Sequence, residues 1–421
     1  MINVAVLGHG TIGSGVVEVL QTNAAVIAKR VGEDIAVKYI LDLRDFPGDP
    51  NADKVVHDYD IIDKDSDIQV VVECMGGVEP AYTFVKKALL NGKSVATSNK
   101  ELVAKHGAEL IAIAREKNIN FLFEASVGGG IPIVRPLLRC LTADVIEEVS
   151  GILNGTTNYM LTRMGEEGLS FEEALKEAQE KGYAELHPEA DVEGYDAGRK
   201  IAIMASIAFN SRVTFSQVYT EGITKISADD IRYAKEFGYV IKLLGVARNV
   251  DGQIEVKVHP MLIDENHPLA TVKDAFNAVF VHGDAMDDAM FMGRGAGEMP
   301  TASAVMGDII DVMRDIVCDC CGRIGCSCYK KLYVKKIEET KSKFFLRIKA
   351  KDKTGVLANI ASVLGNNDVS IAQVVQKRRS SGVAELVIIT DEVEEKNFND
   401  AMAIFEGMSV ISEIAGVIRV H

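Results

Sequence analysis

The first thirteen residues of this chain constrain its fold more than any other segment. Residues 2–7 form an apolar run typical of a buried strand, and Gly8-His9-Gly10-Thr11-Ile12-Gly13 follows directly, ahead of a helix-like apolar stretch. In such a strand, turn and helix, the first glycine permits the tight turn, the second lets the backbone approach a pyrophosphate, and the third lets helix and strand pack closely. The spacing therefore predicts a Rossmann dinucleotide-binding domain, with its cofactor phosphates at Gly8, Gly10, Thr11, Ile12 and Gly13.

Two further apolar runs, at 35–41 and 68–72, follow at the spacing of a βαβ unit. The first of them ends at Leu41-Asp42-Leu43-Arg44, where domains of this kind bind the adenosine ribose of the cofactor. An acid at this point accepts hydrogen bonds from the 2′-hydroxyl, whereas an arginine favours a 2′-phosphate. Asp42 therefore indicates NAD, and Arg44 leaves NADP open.

Length and charge exclude several classes of protein. A chain of 421 residues, 48% hydrophobic and 25% charged, can form two or three domains with full cores. The net charge of -15 argues against binding to nucleic acid or to an anionic membrane. The chain has neither an N-terminal signal pattern nor an apolar run near the ~20 residues of a membrane span, so we expect a cytoplasmic protein.

The order of predicted elements indicates an α/β protein of three domains. We expect a Rossmann domain over 1–134, with a helix at 301–318 packing back on it, and an α+β catalytic and dimerisation domain over 135–300. Within the latter, strands are predicted at 147–153, 254–260 and 278–282, and helices at 171–182 and 228–246. A cysteine-rich linker, 319–343, leads to residues 344–421, whose βαββαβ order is ferredoxin-like.

The segment from Gly182 to Lys200 is the predicted substrate site. Its charged residues crowd a short stretch that then becomes strongly apolar, which indicates that its polar end lies at the edge of a core. Asp196 and Lys200 are four residues apart, so on a helix they share one face. A carboxylate and an amine held together suit an amphoteric small molecule; the alternative is a surface ion pair, which contributes little energy.

The cysteines are unevenly distributed. Two are isolated, whereas five fall within eleven residues: Cys318, Cys320, Cys321, Cys326 and Cys328. Inert thiols, a redox or intersubunit disulfide, and a metal site all remain open, and the first two rank ahead of metal because paired C-x-x-C knuckles are lacking. The nearby Arg323, Lys330 and Lys331 are expected to favour the thiolate form.

Taken together, these motifs resemble those of homoserine dehydrogenases of the monofunctional, regulated type, over essentially the whole chain. The matching segments are 8–13, 98–100, 124–132, 154–158, 182–200 and 293–305. The C-terminal segment resembles an ACT domain, with residues 352–357 as its first loop and helix start. Because the fingerprint begins at residue 8, we expect no aspartate kinase module before it.

The resemblance implies interconversion of L-homoserine and L-aspartate 4-semialdehyde by hydride transfer with NAD or NADP, in threonine, methionine and isoleucine biosynthesis. Lys200 matches the proton donor, Lys100 a second lysine beside the nicotinamide, and Asp196 a residue that orients Lys200. The other implied contacts are with substrate at Glu185, Asp191, Asp196, Thr156 and Tyr183, and with cofactor at Gly182 and Gly297. His187 departs from the family, which often has an acid before the proline that follows the Glu185 position.

The resemblance also implies a structural sodium ion held at Glu124, Val127, Gly129 and Ile131, a threonine effector at the ACT domain, and a homodimer or homotetramer. A glycine run frees backbone carbonyls to converge on a hard cation. The alternatives are a related dehydrogenase of another amino or hydroxy acid, and a non-catalytic amino-acid-sensing protein. The latter would be expected to lose Lys100 or Lys200, and both are present.

Overall fold

A computed structural model describes residues 1–323, 328–379 and 382–421. Its strands are, in chain order, β1 (Ile2–Leu7), β2 (Ile35–Leu41), β3 (Val55–Val56), β4 (Ile68–Glu73), β5 (Ser94–Thr97), β6 (Phe121–Leu122), β7 (Ile146–Ile152), β8 (Tyr219–Thr220), β9 (Tyr239–Val250), β10 (Gln253–Asp264), β11 (Phe276–Gly283), β12 (Asp287–Arg294), β13 (Lys341–Lys351), β14 (Ile371–Arg379), β15 (Val383–Thr390), β16 (Val393–Glu394) and β17 (Ile411–Val420).

The helices are, in chain order, α1 (Thr11–Thr22), α2 (Ala24–Val31), α3 (Tyr59–Lys64), α4 (Ala81–Leu90), α5 (Lys100–Glu116), α6 (Gly155–Glu167), α7 (Phe171–Glu180), α8 (Glu189–Val192), α9 (Tyr195–Ala208), α10 (Ala228–Glu236), α11 (Glu298–Val317), α12 (Val356–Asn366) and α13 (Glu395–Glu406). In the described ranges, no helix has both the length and the apolar character needed to span a bilayer.

The chain divides into two compact units, each built from three separate stretches. The first comprises 1–149, 199–215 and 277–331, and the second comprises 150–198, 216–276 and 332–421. The predicted middle domain, 135–300, thus contributes stretches to both units. Helix α9 runs through the boundary, so that Asp196 belongs to the second unit and Lys200 to the first.

The first unit contains the predicted Rossmann domain. Its parallel sheet has the order β3-β2-β1-β4-β5-β6, with β1 hydrogen-bonded to β2 and β4. Apolar side chains of β1, α1 and α2 form one core with those of α11, which comes from near residue 300. The approach of α1 to α11 requires Gly15, where an added Cβ would lie 2.8 Å from Glu298 Cγ.

The second unit contains the predicted ACT domain, and its βαββαβ order is confirmed by strands β13, β14, β15 and β17 with helices α12 and α13. The strand order β9-β10-β17-β13-β15-β14 also joins the ACT strands to the hairpin of β9 and β10. The joining contact is short and parallel, with Met261 opposite Arg419 and Leu262 opposite Val420. The N–H of His421 donates to Leu262 O at 2.8 Å, so the last residues complete this sheet.

A buried group of charges connects the ACT strands to α10 within the second unit. Arg347 on β13 donates from Nε to Asp230 Oδ1 at 2.9 Å and from Nη1 to Glu385 Oε1 at 2.9 Å. The Tyr233 hydroxyl donates to the other oxygen of Glu385 at 2.6 Å. Asp230 is 1% exposed and Glu385 fully buried, so one guanidinium pairs with two carboxylates that have little access to water.

One predicted element is wrong. The helix expected over 228–246 ends at Glu236, and residues from Tyr239 onwards form strand β9. Gly238 lies between them with φ of 78°, in the left-handed region that ends a helix. The mostly apolar segment Val240–Val246 is compatible with the residue period of a helix or of a strand. Its pairing with β10, along the whole length of that strand, makes it a strand.

Candidate active site

The glycine turn after β1 has the backbone expected of a dinucleotide-binding loop. Gly8 has φ of 91°, and an added Cβ at Gly13 would lie 1.8 Å from Gly8 O, so helix and strand meet there without side chains between them. Gly10 precedes α1, and a Cβ at this position would meet no atom within 4 Å. The bare backbone at the start of α1 therefore leaves room for phosphates, which its first amides attract.

Asp42 lies at the end of β2 and is bound to the same loop. Its Oδ2 accepts from His9 N–H at 2.8 Å, and both oxygens accept from the Arg44 guanidinium at 3.0 Å. Hydrogen bonds from Arg44, then from His9 N–H, outweigh partial burial and hold the pKa of Asp42 well below its usual range. The residue stays ionised, and Arg44, which is well exposed, offsets its charge.

Lys100 is the first residue of α5, and a buried acid at the end of β4 fixes the turn before it. Asn99 caps the helix through Leu102 N–H and donates to Gly77 O at 2.6 Å. Glu73, fully buried, accepts from Thr97 Oγ1 at 2.5 Å and from Met75 N–H at 2.8 Å. Burial raises the pKa of Glu73. Sequence reasoning missed this residue, although an acid that ends a run of three valines was a visible signal.

Within the first unit, an ion pair joins α5 to the part of α9 that belongs to this unit. Glu101, which follows Lys100, pairs with Arg199, which precedes Lys200, at 3.5 Å. The pair brings together the helix segments that carry the two predicted catalytic lysines. Lys200 is 8% exposed, and Asp196 lies one turn before it on α9. The predicted helix is therefore present, and Asp196 and Lys200 are buried rather than solvated.

In the second unit, Asn154 gathers the predicted substrate carboxylates. Its Nδ2 donates to Asp191 Oδ1 at 2.7 Å and to Asp196 Oδ2 at 3.0 Å. Its Oδ1 caps α6 by accepting from Thr157 N–H at 2.9 Å. Asn154 stands in a segment that resembles the family, 154–158, but the resemblance gave it no role. The structure makes it the residue that holds two acids together, which is an arrangement suited to a cationic ligand group.

The remaining predicted substrate residues lie at the start of α6 and in the segment after α7. Thr156 Oγ1 donates to Tyr183 O at 2.6 Å, and the Tyr183 ring packs on Tyr159 with centroids 4.9 Å apart. Gly182, with φ of 73°, ends the turn after α7. Glu185 and His187 are exposed, and in the described residues the Glu185 carboxylate has neither a hydrogen bond nor an ion pair.

Gly297 begins α11 beside the dinucleotide loop in the first unit. It has φ of 118°, and the next residue, Glu298, accepts from Ser14 Oγ at 3.2 Å. The loop at residues 293–297 therefore starts a helix that packs on α1. The N-termini of both helices lie in the first unit. This location agrees with a cofactor contact at Gly297, which stays a prediction.

Only part of the predicted sodium site fits the structure. Glu124 Oε1 accepts from the N–H groups of Ile133 and Val134 at 2.6 and 2.9 Å, and Oε2 accepts from Arg135 N–H at 2.7 Å. Three amides thus occupy most of the acceptor positions of this carboxylate. No N–H in the described chain donates to the backbone carbonyls of Val127, Gly129 or Ile131. These carbonyls stay candidate cation ligands, and Glu124 instead anchors the loop.

The described cysteines are free thiols: Cys74, Cys140, Cys318, Cys320, Cys321 and Cys328. Cys326 lies outside the described residues. Within the described ranges, the only grouping with metal-ligand geometry contains no cysteine and consists of His282, Asp287 and Asp288. The expected bias towards thiolate is wrong for Cys320 and Cys321, because burial and the charge of Asp315 raise the pKa of both thiols, that of Cys321 to about 11.

Comparison with protein families agrees with this arrangement along the chain. Residues 8–124 match the NAD-binding domain of homoserine dehydrogenase, 132–310 match the homoserine dehydrogenase family itself, and 344–407 match the ACT domain. The homoserine dehydrogenase of Neisseria gonorrhoeae is 40% identical, over 100% of this chain and 98% of the relative. That of Pseudomonas aeruginosa is 41% identical, over 100% of this chain and 99% of the relative.

Solved structures agree as well. A homoserine dehydrogenase from Thiobacillus denitrificans superposes with a TM-score of 0.94 at 39% identity, covering 100% of this chain and 98% of that one. A hyperthermophilic archaeal homoserine dehydrogenase in complex with NADPH gives a TM-score of 0.63 at 25% identity, over 74% of this chain and 97% of its own. From the glycine loop to the last strand, this chain belongs to the homoserine dehydrogenase family.

Proposed function

We infer that this protein is an NAD(P)-dependent dehydrogenase that interconverts L-homoserine and L-aspartate 4-semialdehyde. The observation that carries the proposal is helix α9, which holds Asp196 and Lys200 one turn apart and buried, with Asn154 bound to Asp196. Turnover of homoserine with NAD or NADP, compared with other hydroxy and amino acids, tests it directly.

The proposed chemistry assigns one task to each side chain. NAD(P), when bound, supplies the hydride acceptor. Lys200 takes the proton of the substrate hydroxyl during oxidation and returns it during reduction, a role for a lysine held in a closed site. Asp196 orients Lys200 on the same helix face, and Lys100 stabilises the reacting oxygen. Asp191 and Glu185 bind the substrate ammonium, with Thr156 and Tyr183 completing the substrate contacts.

Glu185→Gln should raise the KM for homoserine, because the substrate ammonium loses a charged partner. We expect a rise of roughly tenfold, typical of a charge-assisted hydrogen bond, with kcat changed far less. Steady-state kinetics of the purified variant measure it. Glu189→Gln, another exposed acid four residues on, is the control and should keep the KM of the parent. An unaltered KM in Glu185→Gln would remove Glu185 from the substrate site.

Asp42→Ala should shift cofactor preference towards NADP. The variant loses the acid that repels a 2′-phosphate, and Arg44, now without its partner, can bind that phosphate. We expect the ratio of kcat/KM with NADP to that with NAD to rise on the order of tenfold, since like charges held together are costly. Asp45→Ala, which removes the exposed partner of His57, is the control and should keep the ratio of the parent. A parent that already prefers NADP widely would contradict the assignment.

We propose that threonine binds the ACT domain and inhibits the enzyme. Residues 350, 351 and 353–357 line a cavity of about 210 Å³ together with Gln376, Ala384 and Leu386. Helix α12 starts at this loop, and the free amides of its first turn attract a carboxylate. We also propose a homodimer or homotetramer, because β14 is the last strand in its order and offers an edge for pairing of ACT domains.

Gln376→Ala should weaken threonine inhibition without altering activity in its absence. Loss of a polar group from the cavity should raise the threonine concentration for half inhibition roughly tenfold, the cost of a good hydrogen bond to a charged ligand. Gln373→Ala is matched in residue type and strand but does not line the cavity. A parent enzyme indifferent to threonine would refute the effector, and an equal loss in both variants would place its site elsewhere.

A further inference from the structure

Arg419, on the last ACT strand, contacts a residue outside the ACT domain. Its Nε and Nη2 donate to the two carboxylate oxygens of Glu395 at 2.6 and 2.8 Å. Its Nη1 donates to Glu221 Oε2 at 3.0 Å, and Glu221 directly follows strand β8. A single guanidinium therefore joins the ACT domain to the segment after β8 within the second unit.

Further contacts hold the ion pair of Arg419 and Glu221 in place. The Tyr219 hydroxyl also donates to Glu221 Oε2, at 3.1 Å, and the Arg419 guanidinium lies 5.0 Å from the Tyr219 ring centroid. Burial disfavours the charge of Arg419, but hydrogen bonds and the charge of Glu395 raise its pKa above the ordinary value. The Glu221 N–H donates to Val258 O at 2.8 Å, which ties the same residue to strand β10.

The residues after Glu221 pack directly on the substrate segment. A Cβ at Gly222 would lie 2.1 Å from Val192 O, so the two backbones touch where only glycine fits. The Ile223 N–H donates to Val192 O at 2.8 Å. Val192 follows Asp191, whose carboxylate is bound by Asn154. The chain of contacts from Arg419 to the substrate carboxylates thus contains one ion pair and one backbone contact.

We propose that Arg419 and Glu221 are positioning residues for homoserine, through which the last ACT strand holds the Asp191 segment in its substrate-binding geometry. The inference rests on the proposed role of Asp191 in binding substrate. It gives the ACT domain an influence on substrate affinity that is separate from cofactor affinity, since none of the contacts that carry it involves a residue predicted to bind the cofactor.

The test compares three full-length variants with the parent enzyme. Glu221→Ala removes both hydrogen bonds to Oε2, and Glu221→Gln keeps the shape but removes the charge. Glu413→Gln is the control, since it disrupts an ion pair, to Lys349 at 2.7 Å, that lies within the ACT sheet. We expect the KM for homoserine to rise roughly tenfold in Glu221→Ala and less in Glu221→Gln, with kcat and the KM for cofactor within about twofold of the parent.

The outcomes separate the positioning role from a merely structural one. A rise in homoserine KM alone, absent from Glu413→Gln, supports the proposal. An unchanged homoserine KM in Glu221→Ala overturns it, and so does a parallel rise in both KM values with a lower melting temperature. Asp191→Asn is measured alongside: a normal KM there would refute the role of Asp191 in substrate binding, independently of the result for Glu221.

Discussion

Lys200→Ala should lower kcat by on the order of 10³-fold, because general acid–base catalysis by a positioned side chain contributes about 10²–10⁴-fold. Binding of the cofactor should survive, since the phosphates are expected at the glycine loop and not at α9. Steady-state turnover and a fluorescence titration with NADH measure the two properties separately.

Two companion variants distinguish proton transfer from charge. Lys200→Arg keeps the positive charge but cannot release a proton near neutral pH, so it should be as inactive as Lys200→Ala. Small primary amines added to Lys200→Ala should restore part of the activity. Lys105→Ala, an exposed lysine on α5, is the control and should be fully active. Substantial activity in Lys200→Arg would show that Lys200 acts as a fixed charge.

Arg347→Met should destabilise the protein by about 3–5 kcal/mol, the usual consequence of removing one partner from a buried ion pair. The substitution leaves Asp230 and Glu385 buried without the guanidinium that pairs with both. Methionine fills similar volume, so the effect reports the lost ion pairs and hydrogen bonds rather than a cavity. Urea denaturation followed by circular dichroism should show a lower midpoint for the transition that includes the second unit.

Lys349→Met is the matched control, because it lies on the same strand two residues further along. Its partner Glu413 is about half exposed and the pair is open to water, so its loss should cost at most about 1 kcal/mol. Equal midpoints for the two variants would mean that the Arg347 group contributes no more than a surface pair.

The parts of the fold that follow from local chemistry could be predicted from the sequence. The glycine spacing at residues 8–13 determines the turn, and the βαββαβ order predicted for residues 344–421 is the order that the structure has. The helix at 228–246 was not, because its second half is a strand only by virtue of its pairing with β10. Local period cannot reveal a partner strand that comes later in the chain.

The residues of the candidate site also differ in whether the sequence could predict them. Lys100, Asp196 and Lys200 were predicted as catalytic residues because they stand in recognisable motifs. Glu73 and Asn154 were not assigned a role, since each acts by holding residues that lie far away in sequence; Asn154 reaches Asp196 across 42 positions and Glu73 reaches Thr97 across 24. Such supporting residues carry no motif of their own, and only the folded chain shows what they hold.

The position of β17 in its sheet has a consequence for biosynthesis. Strand β10 and strand β13 both pair with β17, which follows both of them in the chain and leaves the ribosome after them. Until residues 411–420 have emerged, the two strands have unpaired backbone edges, which are templates for aggregation. The sheet of the second unit therefore cannot be completed before residues 411–420 have been synthesised, and a chain truncated before β17 exposes strand edges that mark it as a substrate for chaperones and proteases.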